Sequence, residues 1–381
     1  MRTAYGGVAQ LLAASLLAGC SVHHGMTPGA ADSACHLAAQ GGAPTRWLTP
    51  DGARDKRLHA EWCATVGTVY AETSTTRTGW SFGDSLAVVT WNVHGGSGDL
   101  VAFLRDEHGY DCQDPDGYAG PPLVLLLQEV LRRSEAVPRP DSKNRAAVPP
   151  RLSATRGDAG RPDIVSLARS CSLSLLYIPS MRNGLEEFDE GREDRGNAIL
   201  STLELHAPAA LELPFEKQRR VAAVASVVTA EGKTLRVVSL HFDTFSGLMR
   251  TLRTANSNRL RQSLGLIDAL RQLDGLTEVQ AEQMRCPVPC ERVPGYPVSA
   301  LVAGDLNTWT DDHTVLRRLD EWFPGSPPRD GLPTRGEYPA DHIFFRAAAG
   351  APLVPLLDSY ERLEDRHGSD HHARRIWLVA R

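Results

Sequence analysis

From about Gly83 to Arg381 the chain alternates short apolar runs rich in Val, Leu and Ile with amphipathic stretches. The runs predict strands over Leu86–Trp91, Leu123–Leu127, Leu175–Ile178, Ala198–Ser201, Val221–Thr229, Thr234–Leu240, Val298–Ala303, His342–Arg346 and Arg375–Val379. The "AEGK" between Thr229 and Thr234 reads as a hairpin turn. Helical spacing predicts Leu100–Glu107, Asp163–Ser172 with Asp163 as N-cap after Pro162, a long helix over Leu248–Leu273, and Asp311–Trp322. Many strands with a few helices outside them predict an α/β (α+β) domain of two packed β-sheets flanked by helices. No internal repeat is visible.

Several runs end on a polar residue. "VVTWNVHGG" passes from an apolar strand into glycine at Asn92, and Glu129 closes "LVLLLQE". His241 ends "LRVVSLH", and Asp305 and Asn307 follow "ALVAG". In extended chain the last two point the same way, being two apart. Asp341 in "PADHIFF" and Asp370-His371 in "GSDHH" complete the set. Singly each has a plain structural use, Asn92 and Asp305–Asn307 as turn formers, His241 as a satisfied structural histidine and Glu129 as a solvated strand end. Strands that end side by side would bring all of them to one rim.

The amino terminus changes the expected location. Leu11–Ala18 is apolar but too short to span a bilayer, and "LAGC" follows at Leu17–Cys20. This resembles the lipobox of bacterial lipoproteins, which implies a signal peptide over residues 1–19 and acyl chains on Cys20 holding the protein on a membrane of the cell envelope. A flexible tether over 20–34 and a short segment over 35–82 would then precede the catalytic domain, residues 83–381.

Setting Cys20 aside leaves six of the seven cysteines. Six allow 15 connectivities; pairing of neighbours in order gives Cys35–Cys63, Cys112–Cys171 and Cys286–Cys290. Loss of Arg2 with the signal takes the net charge from -5 to -6, which excludes a generally basic nucleic-acid coat. Arg132–Arg161 is an exception, with eight Arg/Lys against Glu135, Asp141 and Asp158. It is either a surface for DNA backbone or anionic lipid, or a solvated insertion. The acidic "EEFDEGRED", Glu186–Asp194, reads as a charged hairpin face that alternatively pairs with the basic loop or holds calcium.

Taken in order, "TWNVHGG", "LLLQEV", "RGNAILST", "VVSLHFDT", "VAGDLNTW", "DHIFF" and "GSDHH" resemble the endonuclease/exonuclease/phosphatase superfamily over about Leu86–Arg381. The resemblance implies a DNase I-like four-layer sandwich and hydrolysis of phosphate esters with a divalent cation, Mg2+ or Mn2+. It assigns Glu129, Asp370 and Asn92 to the metal, with Asn92 and Asn197 also near the substrate. Asp305 and Asn307 would position or activate water. His371, oriented by Asp341, would be the general base or a phosphate-binding group, and His241 would donate to a non-bridging oxygen or assist the leaving group. "SDHH" and "SLHFD" depart from the commoner family pattern at His372 and at the residue before His241, Leu240, where Thr is more usual, so neither marks a subfamily.

The resemblance therefore implies a phosphodiesterase or endonuclease, and the chain is expected to be a monomer. A lipid (sphingomyelinase-like) or small-molecule phosphoesterase is the alternative, and an inactive envelope binding protein is a second one. The phosphate-ester substrate is nucleic acid or phospholipid, and the membrane partner would be engaged through Cys20.

Overall fold

The computed structural model describes residues 25–29, 34–36, 44–74, 85–139, 163–182, 192–229, 232–244, 248–285, 295–309, 314–350 and 353–380. Two seven-stranded mixed sheets stack face to face. The first has the order β1 (Met26–Pro28), β2 (Arg46–Pro50), β8 (His206–Glu212), β9 (Val221–Val228), β10 (Thr234–His241), β11 (Ser299–Asp305), β12 (Asp341–Arg346). The second runs β13 (Leu353–Arg362), β14 (Arg374–Ala380), β4 (Leu86–Asn92), β5 (Leu123–Arg133), β7 (Glu193–Ser201), β6 (Ser174–Arg182), β3 (Tyr70–Glu72). Among the described residues the α-helices are α1 (Ala53–Cys63), α2 (Leu100–His108), α3 (Ile164–Ser170), α4 (Leu248–Leu273), α5 (Glu278–Met284) and α6 (Thr314–Trp322).

The continuous apolar runs follow from burial on both faces of each sheet. In β4, Leu86 and Val88 pack between the sheets with Val124, Leu126, Val237 and Leu301. The alternate residues Val89 and Trp91 pack outward against Phe103 and Leu104 of α2, in a cluster that also holds Ile164 and Leu167 of α3. On the far side, Val238 and Leu240 of β10 meet Leu266 and Leu270 of α4 and Leu316 and Leu319 of α6. Helix, sheet, sheet and helix give the predicted four layers. Asp163 caps α3, its side chain accepting from Val165 N and Ser166 N.

All nine predicted strands are present, and several extend further into polar sequence. β5 continues from Leu127 to Arg133 and β7 begins at Glu193, because cross-strand ion pairs hold those ends in register. Arg132 Nε donates to Asp194 Oδ1 at 2.9 Å, and Arg133 Nε to Glu193 Oε1 at 2.8 Å. The acidic stretch thus meets the start of the basic loop, as one of the alternatives had it. Residues 140–162 and 183–191 lie outside the described residues.

Five strands and two helices carried too little pattern to predict. β1, β2 and β3 are short, and β8 and β13 each contain a proline, Pro208 and Pro355. Pro208 falls where the β8–β9 register shifts, and β13 is an edge strand, both places where a missing N–H is tolerated. α1 and α5 also lie outside the predicted helices. Part of the expected tether, Met26–Pro28, is a strand paired with β2 and fixed to α4 by Met26 N donating to Asp268 Oδ2 at 2.7 Å. The expected disulfides Cys35–Cys63 and Cys112–Cys171 are formed. Cys20, Cys286 and Cys290 lie outside the described residues.

Candidate active site

Parallel pairing aligns the strand ends. β4 lies parallel to β5 with Asn92 opposite Gln128, and β10 lies parallel to β11 with His241 opposite Asp305. Antiparallel β12 then sets Asp341 opposite Asp305. His241, Asp305 and Asp341 therefore form a row across three strands of one sheet, with Asn92 at the matching edge of the other. Glycine is needed before Asp305, since a Cβ on Gly304 would lie 1.8 Å from Leu240 O.

Glu129 reaches the site through a bulge. The β5–β7 register shifts between Leu127 and Val130, and Glu129 has φ +55°. One extra residue on β5 turns the carboxylate out of the strand's alternation. Arg195 Nη1 donates to its Oε2 at 3.1 Å, and His241 Nδ1 lies 3.7 Å from Oε1.

Asp305 is the hub. Its Oδ1 accepts from Asn307 N at 2.8 Å and its Oδ2 from Asn92 Nδ2 at 2.9 Å. His241 Nε2 lies 3.3 Å and His371 Nε2 3.7 Å from the same Oδ2. His371 Nδ1 donates to Asp341 Oδ2 at 2.8 Å, while Trp91 Nε1 donates to His371 O at 3.2 Å. Thr334 Oγ1 accepts from Asp341 N at 3.0 Å and anchors the neighbouring turn. Asp370 Oδ1 is 2.6 Å from His94 Nδ1, and its Oδ2 is 3.2 Å from Arg335 Nε.

Burial sets the charges. Asp305, Asp341, His371, His241 and Asn92 are all buried, whereas the Asp370 side chain is 33% exposed. Desolvation, with Asp341 adding repulsion, pushes Asp305 up to about 6 despite nearby His371. Burial opposes a charge on His371, but Asp341 and Asp305 outweigh it and raise the imidazole to about 9. Burial would also raise Asp341, Glu129 and Asp370, yet His371, Arg195 and His94 respectively head the charges and hydrogen bonds that lower them, Asp370 to about 2. His241 is driven well below its ordinary value by burial and then by Arg220.

The fold brings Asn92, Glu129, His241, Asp305, Asn307, Asp341, Asp370 and His371 to one rim. Asn197 lines the same crevice, together with Glu129, Arg195, Arg220 and His241. Its amide nitrogen, however, donates to Val221 O at 2.7 Å and ties β7 to β9. Sequence reasoning missed His94, Arg195, Arg220 and Arg335. His94 and Arg195 stand inside quoted motifs, in "NVHGG" and "RGNAILS", and their pairing with carboxylates is a tertiary fact.

Residues 89–371 match the sequence profile of the Endonuclease/Exonuclease/phosphatase family. No curated protein matches the chain. Among solved structures, an endonuclease/exonuclease/phosphatase from Beutenbergia cavernae DSM 12333 is similar at 17% identity and TM-score 0.44, over 78% of this chain and 72% of that one. Truncated Caenorhabditis elegans TDP2 is similar at 12% identity and TM-score 0.40, over 78% and 99%. The AP endonuclease LMAP from Leishmania major is similar at 12% identity and TM-score 0.39, over 78% and 89%.

Proposed function

The chain belongs to the endonuclease/exonuclease/phosphatase family, and we propose on that footing that it hydrolyses phosphodiesters, nucleic acid foremost, with a magnesium or manganese ion. The observation that carries this is the meeting of Asp305, Asp341 and His371, which are all buried and whose ligand atoms lie within 4.8 Å of one another. Such a concentration of ionisable groups out of water is costly without a chemical use.

The donor set fits a hard divalent cation. Asp341 Oδ1 is buried with no hydrogen-bond partner, and Asp305 is forced toward protonation. A cation held beside these two carboxylates would relieve both through its charge. Glu129 and Asp370, with the Asn92 amide oxygen, are the residues that would hold it; Glu129 and Asp370 both feel His94 and His371. When bound, the ion supplies charge neutralisation at the phosphoryl oxygens.

The protein's own groups divide the remaining work. Asp305, held by Asn92 and Asn307 and raised to about 6, accepts the proton of an attacking water. His371, kept cationic by Asp341, donates through Nε2 to a phosphate oxygen. Asp341 fixes which imidazole nitrogen faces the substrate.

A phospholipid phosphodiesterase is a second reading, favoured by Leu332 and Tyr338, which are 42% and 50% exposed. They flank Arg335, the residue on Asp370, so the rim beside the site is partly apolar. Two of the eight basic residues counted for the polyanion loop, Arg132 and Arg133, are held in ion pairs, which narrows the electrostatic case for nucleic acid to the rest. Export with a lipid on Cys20 belongs to the same proposal. Its support is the pair of disulfides, which suits an oxidising compartment. Among the described residues no helix is long and apolar enough to cross a membrane.

The test is nicking of supercoiled plasmid, run beside headgroup release from choline phospholipid vesicles. Each uses protein lacking Cys20, with magnesium or manganese, with chelator, and with His371→Ala. Metal-dependent nicking lost in the variant supports the nuclease reading. Headgroup release without nicking moves the substrate to lipid, and turnover unchanged by chelator or by His371→Ala would refute the assigned site.

A further inference from the structure

Arg259 lies on α4 in line with Leu266 and Leu270, on the stripe that packs against the sheet, and is buried there as they are. A position on such a stripe is ordinarily apolar. Burial works against the arginine's charge, with the carboxylates of Asp305 and then Asp243 opposing that effect. Its Nη1 donates to Asn307 O at 2.7 Å, and its guanidinium carbon stands 5.1 Å from the centre of the Trp309 ring. Nε and Nη2 have no hydrogen-bond partner among the described residues. Among those residues, the Asn307 carbonyl is therefore the one acceptor to which this buried cation is directed.

Asn307 has a left-handed backbone, φ +52°, a conformation that costs any residue with a Cβ and is kept only by surrounding contacts. Three contacts hold it. Its N–H donates to Asp305 Oδ1 at 2.8 Å, its side-chain amide donates to Phe242 O at 3.0 Å, and its carbonyl accepts from Arg259. The preceding backbone is tied as well, Phe242 N donating to Asp305 O at 2.9 Å and Leu306 N to Ala340 O at 2.8 Å. With Arg259 gone, the carbonyl loses the donor it has among the described residues. Turning it toward another partner rotates the residue and carries its N–H away from Asp305.

We infer that Arg259 is a positioning residue that locks Asn307 in its left-handed turn, so that the Asn307 N–H fixes the orientation of the Asp305 carboxylate. This deepens the phosphodiesterase reading above and rests on it. Arg259 touches no reacting group, because its chain of contacts to Asp305 runs through Asn307. An apolar side chain would fill the same place on α4 without the cost of burying a charge, and it would leave the turn unheld.

Two independent arms test it in the full chain. Hydrogen exchange of the Asn307 amide, followed in asparagine-labelled protein, reports the bond to Asp305 without substrate. Arg259→Met is expected to speed that exchange about tenfold relative to the Val302 amide in the middle of β11, with Arg259→Lys between the two. Equal rates in all three proteins overturn the inference. Acceleration of Asn307 and Val302 together also overturns it, since Arg259 would then support the sheet as a whole. If Arg259→Met does not fold, Arg259→Lys against the unaltered protein carries the same comparison. In the second arm the variants are assayed on a p-nitrophenyl phosphodiester. Arg259→Met is expected to lose on the order of 10²-fold in kcat with KM little changed, Arg259→Lys recovering part of the loss. A raised KM with kcat kept would mean that Arg259 binds substrate, which overturns it. Absence of turnover by the unaltered protein would refute the phosphodiesterase reading alone, since the exchange rates still decide whether Arg259 holds the turn.

Discussion

Asp341 Oδ2 accepts a hydrogen bond from His371 Nδ1 at 2.8 Å, although 30 residues separate the two in sequence. Both are buried, and the bond leaves only His371 Nε2 to face Asp305 and Asp370, at 3.7 and 3.8 Å. An amide in place of Asp341 removes the charge that holds the imidazole cationic. Asp341→Asn is therefore expected to lower kcat by about 10²–10⁴, approaching the effect of His371→Ala. Combining the two should cost little more than His371→Ala alone, because the groups act as a unit. Steady-state kinetics of both single variants and the double variant check this, and additive losses would contradict it.

Charge pairs at the β5–β7 end should differ sharply in worth. Asp194 is fully buried and receives Arg132, Gly67 N at 2.8 Å and Tyr177 Oη at 2.9 Å. Asp194→Asn leaves the Arg132 guanidinium buried without its counter-charge, an expected loss of about 3–5 kcal/mol. Glu193→Gln breaks a pair whose side chains are 33% and 25% exposed, and the expected loss is about 1 kcal/mol or less. Denaturant unfolding of the two variants measures the contrast. Equal losses would mean that burial does not set the strength of these pairs.

Buried histidines should make the fold weaker in mild acid. Burial is the largest cause lowering His342 to about 3 and His108 to about 4. In the unfolded chain each takes up a proton near 6.5. The stabilisation from keeping them neutral is complete above that value and is lost as pH falls toward the folded values. Each contributes a slope of up to about 1.4 kcal/mol per pH unit. His371 has the opposite sign but its gain is complete below 6.5, while Asp305, raised from 3.8 to about 6, offsets one group. Melting temperature is expected to fall by a few degrees between pH 6.5 and 5, and less in His342→Gln. A flat profile in the unaltered protein would refute the assignment.

The legible part of this protein is the part written locally. Apolar runs buried on both faces need no partner to be recognised, so β4, β9, β10 and β11 are legible close to their observed bounds. The polar residues that end them were legible too, because a strand end carrying Asn92, His241 or Asp305 interrupts an otherwise apolar pattern. β8 and β13 were not, since Pro208 and Pro355 break the alternation that a ladder edge or a bulge tolerates.

Sequence by itself determined the two-sheet class, the family resemblance and the identity of the residues gathered at the rim. Tertiary structure decided how those residues are charged and which way they act. Glu129 enters the site only because a bulge rotates it out of its strand, and Asn197 ends up bonded to Val221 O instead of presenting its amide nitrogen to the pocket. Arg195, Arg220 and His94 were silent in sequence because the partner of each comes from a distant strand or loop. The physical reason is one of range. Side-chain periodicity is set by neighbours two to four residues away, whereas protonation depends on desolvation and charge assembled from strands far apart in the chain.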